Sequence, residues 1–412
     1  MYSFSGKIKL VAIISMVVGL LGIGYSFIAT PSTVEALGAH ASHDPAHAEH
    51  VLHLLQNKPW AALYVAALFF MLISLGVLAF YAINRAAQAG WAPILFRVME
   101  GITGYLPIGA LIFFLLLVFS GLHFNHLFIW MDPAVVAHDK VIQGKTGYLN
   151  VPFFLVRAAV YMLGWIAYRQ ITRKLSKAQD QAHDNRPFVK AFKWSAGFLV
   201  FFLVSESMMS WDWVMSVDPH WFSTLFGWYV FGSLIASAIA AIILVTVTLK
   251  SQGYLEHVND SHLHDLAKYL FGFSIFWTYL WFSQYLLYWY SNIPEEVTYF
   301  VTRLEHYEPI VLSMLAINFL LPLLILVDSD IKRKPWVVGT MAVVILVGHY
   351  LDFFNMIMPA TVGDQWCIGA GEIGSVLFFF GLFTFVTFRT LTKAPLVEKN
   401  HPLMHESEHF HY

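Results

Sequence analysis

Long apolar runs, each about twenty residues and each bounded by a short polar connection, recur from one end of the chain to the other. They fall at residues 8–29, 60–83, 104–129, 149–168, 188–210, 222–249, 266–290, 307–327, 336–357 and 370–390. Twenty residues rising 1.5 Å apiece cross about 30 Å, the thickness of a bilayer's hydrocarbon. The pattern therefore predicts an all-α integral membrane protein of about ten transmembrane helices. The first run follows Lys7 and Lys9 and has the basic start and apolar core of a secretory signal; we read it as a retained first helix.

Lysine and arginine then set an orientation, because they are retained on the cytoplasmic side. They gather before the first run, after the tenth, and in the even-numbered connections: Arg85 and Arg97, Arg169 through Lys193, Lys250 and Lys268, and Lys332 through Lys334. The odd connections hold only Lys58, Lys140, Lys145 and Arg303. Both termini are expected to be cytoplasmic, which requires an even number of helices.

Laying the second to fifth runs over the sixth to ninth reveals a weak repeat. Both Asn125–Trp130 and Gln284–Trp289 lead to a proline, Pro133 and Pro294, and Asp212 precedes Pro219 by the same seven residues that separate Asp352 from Pro359. An offset of four helices preserves direction, so the repeat would be parallel. The expected architecture is two four-helix bundles, in residues 59–210 and 222–357, flanked by helices one and ten. A His-rich periplasmic loop at 30–58 and a cytoplasmic tail at 394–412 complete a single membrane domain.

Composition agrees with that picture and narrows the chemistry. Of 412 residues, 58% are hydrophobic and 12% charged, against about 25% charged in soluble domains. A net charge of −2 with dispersed basic residues gives no footprint for nucleic acid. Cys367 is the only cysteine, so this chain alone builds neither a disulfide nor an iron–sulfur or covalent haem site.

Ionisable side chains inside a bilayer are costly and point to function. His123, His126, Glu206, His349, Asp352 and Glu372 all fall in the periplasmic halves of their runs, and Arg157 lies on the fourth from that side. Their shared depth suggests proton transfer through Glu206, Asp352, His349 and Glu372, with Arg157 either tuning them or neutralising Glu206 or Glu372 to lock two helices. His349 and Asp352, three apart, share a helical face. Haem b ligation by His123 or His126 opposite His349 is disfavoured, since the other helices offer no second facing pair. On the cytoplasmic side Glu100, Tyr105, Lys193, Asp328 and Asp330 could admit protons, with Thr103, Ser274, Thr278 and Tyr279 along the way. His40, His43, His47, His50 and His53 share a helical spacing, but neither they nor His401, His405, His409 and His411 come with a carboxylate or cysteine frame, so no specific metal site is expected.

Four strings carry a resemblance. Residues 277–296 (WTYLWFSQYLLYWYSNIPEE), 210–224 (SWDWVMSVDPHWFST), 148–154 (YLNVPFF) and 371–374 (GEIG) are similar to the membrane subunits of bacterial alternative complex III, a quinol:cytochrome c oxidoreductase of the bacterial cytoplasmic membrane. Those subunits are related to the polysulfide-reductase type of membrane anchor, and the length here is closer to the shorter, second quinone-binding subunit. The resemblance implies a subunit that binds no cofactor itself beyond quinone or quinol. Its expected partners are iron–sulfur and multihaem cytochrome c subunits, a sister ten-helix subunit, a terminal oxidase and lipid. It also implies that quinol oxidation belongs chiefly to the sister subunit while this one holds a proton path. A quinol site wants proton acceptors; Arg157 is none, leaving His123, His126 and Asp352 as quinone-binding candidates. A secondary transporter and a purely structural anchor are the rival expectations.

Overall fold

The structure, a computed structural model, describes residues 1–36 and 45–411. Among them the chain is helical throughout, with no strand. The principal helices are α1 (Gly6–Ala29), α2 (Pro45–Ala86), α3 (Pro93–Gly121), α4 (Val151–Gln179), α5 (Arg186–Trp213), α6 (Phe226–Ser251), α7 (Asp260–Ser291), α8 (Glu308–Ile325), α9 (Pro335–Val362) and α10 (Ala370–Leu391). Nine helices among the described residues are long and apolar enough to cross a membrane, and the protein is a multi-pass membrane protein on that evidence. The remaining expected run coincides with α7, 32 residues long but rich in Trp and Tyr, whose polar N–H and O–H groups lower its hydropathy.

Local chemistry explains the helix ends. Asn150 accepts the Phe153 N–H at 3.0 Å to start α4, and Asn259 caps the first N–H groups of α7. The Glu372 carboxylate reaches back 2.9 Å to the Gly369 N–H at the start of α10. α7 stops at Asn292, φ 45°, and α9 at Gly363, φ 56°, both in the left-handed region.

α2 and α6 form the centre. In their most apolar stretches 94% and 83% of residues are buried, against 11% in α1. Around α2 stand α3 and α5, with α4 packed on both; around α6 stand α7 and α9, with α8 on α9. The halves meet where α2 touches α6 and α9, and α5 touches α6. The N-terminus, the α2–α3, α4–α5 and α6–α7 connections and the C-terminal tail gather at one end: Ser3 bonds Tyr254, Arg97 pairs with Asp180, and Ser407 Oγ donates to the Trp91 carbonyl.

One expected boundary is corrected here. α3 ends at Gly121, eight residues before the expected end at 129. Phe124 N–H donates to Phe119 O and His123 N–H to Ser120 O, a Schellman closure with His123 at φ 61°. The 30–58 loop is helical from Pro45 onward, continuous with α2; at 1.5 Å per residue the 42 residues run roughly 60 Å, twice the hydrocarbon thickness. His40 and His43 lie outside the described residues.

α1 is attached almost wholly to α10, through small residues that bring the backbones into contact. A Cβ on Gly19 would stand 2.3 Å from Phe378 N, and one on Gly374 2.8 Å from Ile23 N. Gly374→Leu is expected to destabilise the purified protein by about 1–3 kcal/mol in detergent unfolding. Gly24→Leu, at a site with nothing within 4 Å, should leave stability unchanged.

Candidate functional site

Two buried aspartates, each seven residues before a proline, are satisfied differently. In the first half Asp212 is fully buried on α5, and Arg157 of α4 grips it with two parallel bonds: Nε to Oδ2 and Nη2 to Oδ1, both 2.8 Å. The guanidinium's Nη1 donates to the Tyr148 carbonyl at 2.9 Å, its flat face covers the Tyr148 and Phe153 rings, and Tyr161 donates to Asp212 at 3.2 Å. The charge is paired and each of the three guanidinium nitrogens donates a bond. Arg157 thus neutralises Asp212, not Glu206 or Glu372, because Asp212 lies directly across the α4–α5 contact.

In the second half Asp352, also fully buried, receives only neutral donors: Tyr229 Oη, Ser233 Oγ and, at 2.8 Å, Trp277 Nε1. No lysine or arginine pairs with it among the described residues; its titratable neighbour is His349, Nδ1 3.8 Å away. His349 is fully buried, stands edge-on to the Trp277 ring, and has no hydrogen-bond partner among the described residues at either nitrogen. One helix over, α8 breaks into a π-turn at Ala316–Leu320 and buries Asn318, whose amide oxygen and nitrogen are also unpartnered. Asn318 lies against Gly348, where a Cβ would sit 2.0 Å from its oxygen, so a glycine next to His349 lets the amide approach α9. π-turns of this kind concentrate at functional positions.

A hydroxyl row leads along α6. Tyr229, Ser233 and Ser237 are four residues apart and so stack on one face about 6 Å per step. Beyond Tyr229 a small cavity of about 10 Å³ is lined by Gln284, Asn355 and Arg303, roughly the space of one water. Arg303, on the short helix Pro294–His306, donates to the carbonyls of Asn355 and Met356 at 3.0 Å and of Tyr299 at 2.8 Å. Pro359 explains the first, since it has no N–H for the Asn355 carbonyl four residues earlier.

The other expected site residues are dispersed. Glu206 is buried on α5 with Oε1 unpartnered, and Glu372 faces a groove beside α10; neither bonds Asp352. His123 and His126 are exposed on the loop after α3, where Asn57 holds the His126 backbone and His53 meets its ring. His47, His50 and His53 are exposed along α2, and no group of three or more potential metal-ligating side chains gathers among the described residues. Glu100 belongs to a buried network at the basic end: it takes Arg173 and, at 3.0 Å, Tyr81 Oη, beside Arg97. There the tail returns, placing Glu398 against Arg85 and Ser176.

The residues missed by sequence reasoning are Asp212 as Arg157's partner, the α6 hydroxyls, Asn318 and Glu398. The four-residue spacing of Tyr229, Ser233 and Ser237 in an otherwise apolar helix was the available signal; Glu398, in a polar tail, offered none. No family model matches the sequence, and a search of curated proteins finds no match.

Two outcomes follow. Arg157→Met should cost about 3–5 kcal/mol of stability by stranding Asp212, most of it recovered on adding Asp212→Asn. At the basic end, burial pushes His401 down to about 3, with Arg85 adding to the effect, and burial pushes His262, whose Nε2–H meets the Ser407 carbonyl, down to about 4. Both values lie below the ordinary 6.5, so the docked tail favours neutral imidazoles. Its docking should be complete above pH 6.5 and weaken as pH falls through about 4. Limited proteolysis of the tail across that range measures it.

Proposed function

We propose that the chain is a membrane subunit of a respiratory quinol:cytochrome c oxidoreductase in the bacterial cytoplasmic membrane, and that its second half moves protons through Asp352 and His349. The observation that carries this reading is the asymmetry between the buried aspartates. Asp212 is bound to a permanent cation and fixed, whereas Asp352 is held by hydroxyls and an indole next to an imidazole that makes no hydrogen bond among the described residues. Unpartnered groups at His349, Asn318 and Asn355 are the kind that internal water satisfies, and water joining them to the hydroxyl row would make a proton relay.

In this proposal α7 is a tenth span, the halves are two four-helix bundles flanked by α1 and α10, and the gathered basic end with both termini faces the cytoplasm. The packing of α2–α5 around one another, and of α6–α9, supports it. The electron carriers belong to partners: iron–sulfur and multihaem cytochrome c subunits beside a sister membrane subunit, delivering to a cytochrome or oxidase. Glu100 and its arginines form the cytoplasmic mouth.

A second reading, a secondary transporter, draws on the interruptions of α3 at Thr103–Tyr105 and of α8 at Ala316–Leu320, since broken helices build transporter sites. Mild-detergent purification from native membranes separates the two. Recovery with c-type haem and a large iron–sulfur protein supports the respiratory subunit; recovery alone and colourless sinks it in favour of transport. Within the complex, Asp352→Asn should slow proton release coupled to quinol oxidation by about tenfold or more, and an unchanged rate would remove Asp352 from the path.

A further inference from the structure

A groove of about 790 Å³ runs along α10, apart from both the Asp352 site and the basic network. α10 forms one wall and α6 with α9 the other, over a floor of Phe69, Phe70 and Ile73 from α2. The size is that of a site for a lipophilic small molecule. The lining is apolar with few exceptions, and two of these are unusual. Glu372 is 3% exposed; its Oε2 is committed to the Gly369 N–H, while Oε1 is buried with no partner among the described residues. Across the groove on α9, Tyr350 buries an equally unpartnered hydroxyl within electrostatic reach of Glu372.

A buried polar atom without a partner costs free energy, so an acid and a phenol that both line one apolar groove mark where a ligand's polar head belongs. Neither lysine nor arginine lines that end among the described residues; Lys7 stands at the other, since the start of α1 packs Phe4 on Phe388 near the end of α10. A phosphate headgroup would therefore meet a carboxyl and no cation. Around the head position Phe69 packs on Tyr350 with ring centroids 5.6 Å apart, and Phe354 adds a third ring, surfaces suited to a flat head.

We propose that the groove binds an uncharged lipid, with a flat hydroxyl- or carbonyl-bearing ring between Glu372 and Tyr350 and one long apolar tail along α10. Isoprenoid quinones and quinols have this chemistry, and in naming them the inference rests on the respiratory reading above. The ring enters sideways from the bilayer, because the groove opens past the lipid-exposed Val347 and Ile373.

The test is binding of menaquinone-4 to the full chain in mild detergent, followed by quenching of tryptophan fluorescence. Tyr350→Phe, which removes one hydroxyl, should weaken binding about tenfold; Val376→Trp, which fills the groove, should abolish it; Leu324→Trp, on the lipid-facing side of α8, should do neither. Equal affinity in wild type, Tyr350→Phe and Val376→Trp would overturn the site, as would displacement of the probe by phosphatidylglycerol. The haem content of the native preparation reports separately on the respiratory reading. Groove binding by a haem-free preparation keeps the site and removes that assignment, whereas a haem-containing complex without groove binding does the reverse.

Discussion

A charge placed in hydrocarbon must find a partner, and most of this structure is arranged around that constraint. Arg157 closes on Asp212, Arg173 on Glu100 and Arg85 on Glu398, each pair joining segments far apart in sequence. Such pairs are weak as sources of stability, because desolvation offsets the attraction, but they are strict about geometry: an incorrect helix register strands both ions. They select the packing that the apolar surfaces alone leave loosely specified. Against so thorough a settlement, the places left open acquire meaning. Among the described residues they include Glu206, the His349–Asn318–Asp352 cluster and the Glu372–Tyr350 end of the groove, where no arginine pairs with the acid.

The helices were legible in the sequence because the bilayer imposes one length and one polarity on every crossing. Apolar runs found each of the ten principal helices, including α7, where aromatic residues lower a hydropathy sum. What the runs could not convey was where helical geometry stops within an apolar stretch. The end of α3 at Gly121 depends on a left-handed turn at His123, and apolar residues continue on either side of it. Partner choice was hidden for a different reason. Glu206 and Asp212 sit six residues apart on α5, about 9 Å along its axis, and the axial offset and rotation of α5 against α4 together decide which of them meets Arg157. Depth along the membrane is readable from a sequence; azimuth around a helix, once several neighbours compete, is not.

The repeat adds a comparison that neither half supplies alone. Two buried aspartates, each seven residues before a proline, occupy opposite electrostatic situations. The first half spends its guanidinium on the acid itself. The second half has a guanidinium too, in Arg303, but spends it on backbone carbonyls.

Pro359 is what diverts it. By lacking an N–H, the proline leaves the Asn355 carbonyl unpaired inside the protein, a group that must be satisfied. Arg303 meets that need and stacks on Tyr299, so its donors point at α9's backbone and away from the Asp352 carboxylate one turn earlier. The acid is left to hydroxyls that can both donate and accept, which an arginine cannot do. A backbone defect three residues from the end of α9 thereby bears on whether the aspartate near its middle is bound by a guanidinium or only by hydroxyls and an indole.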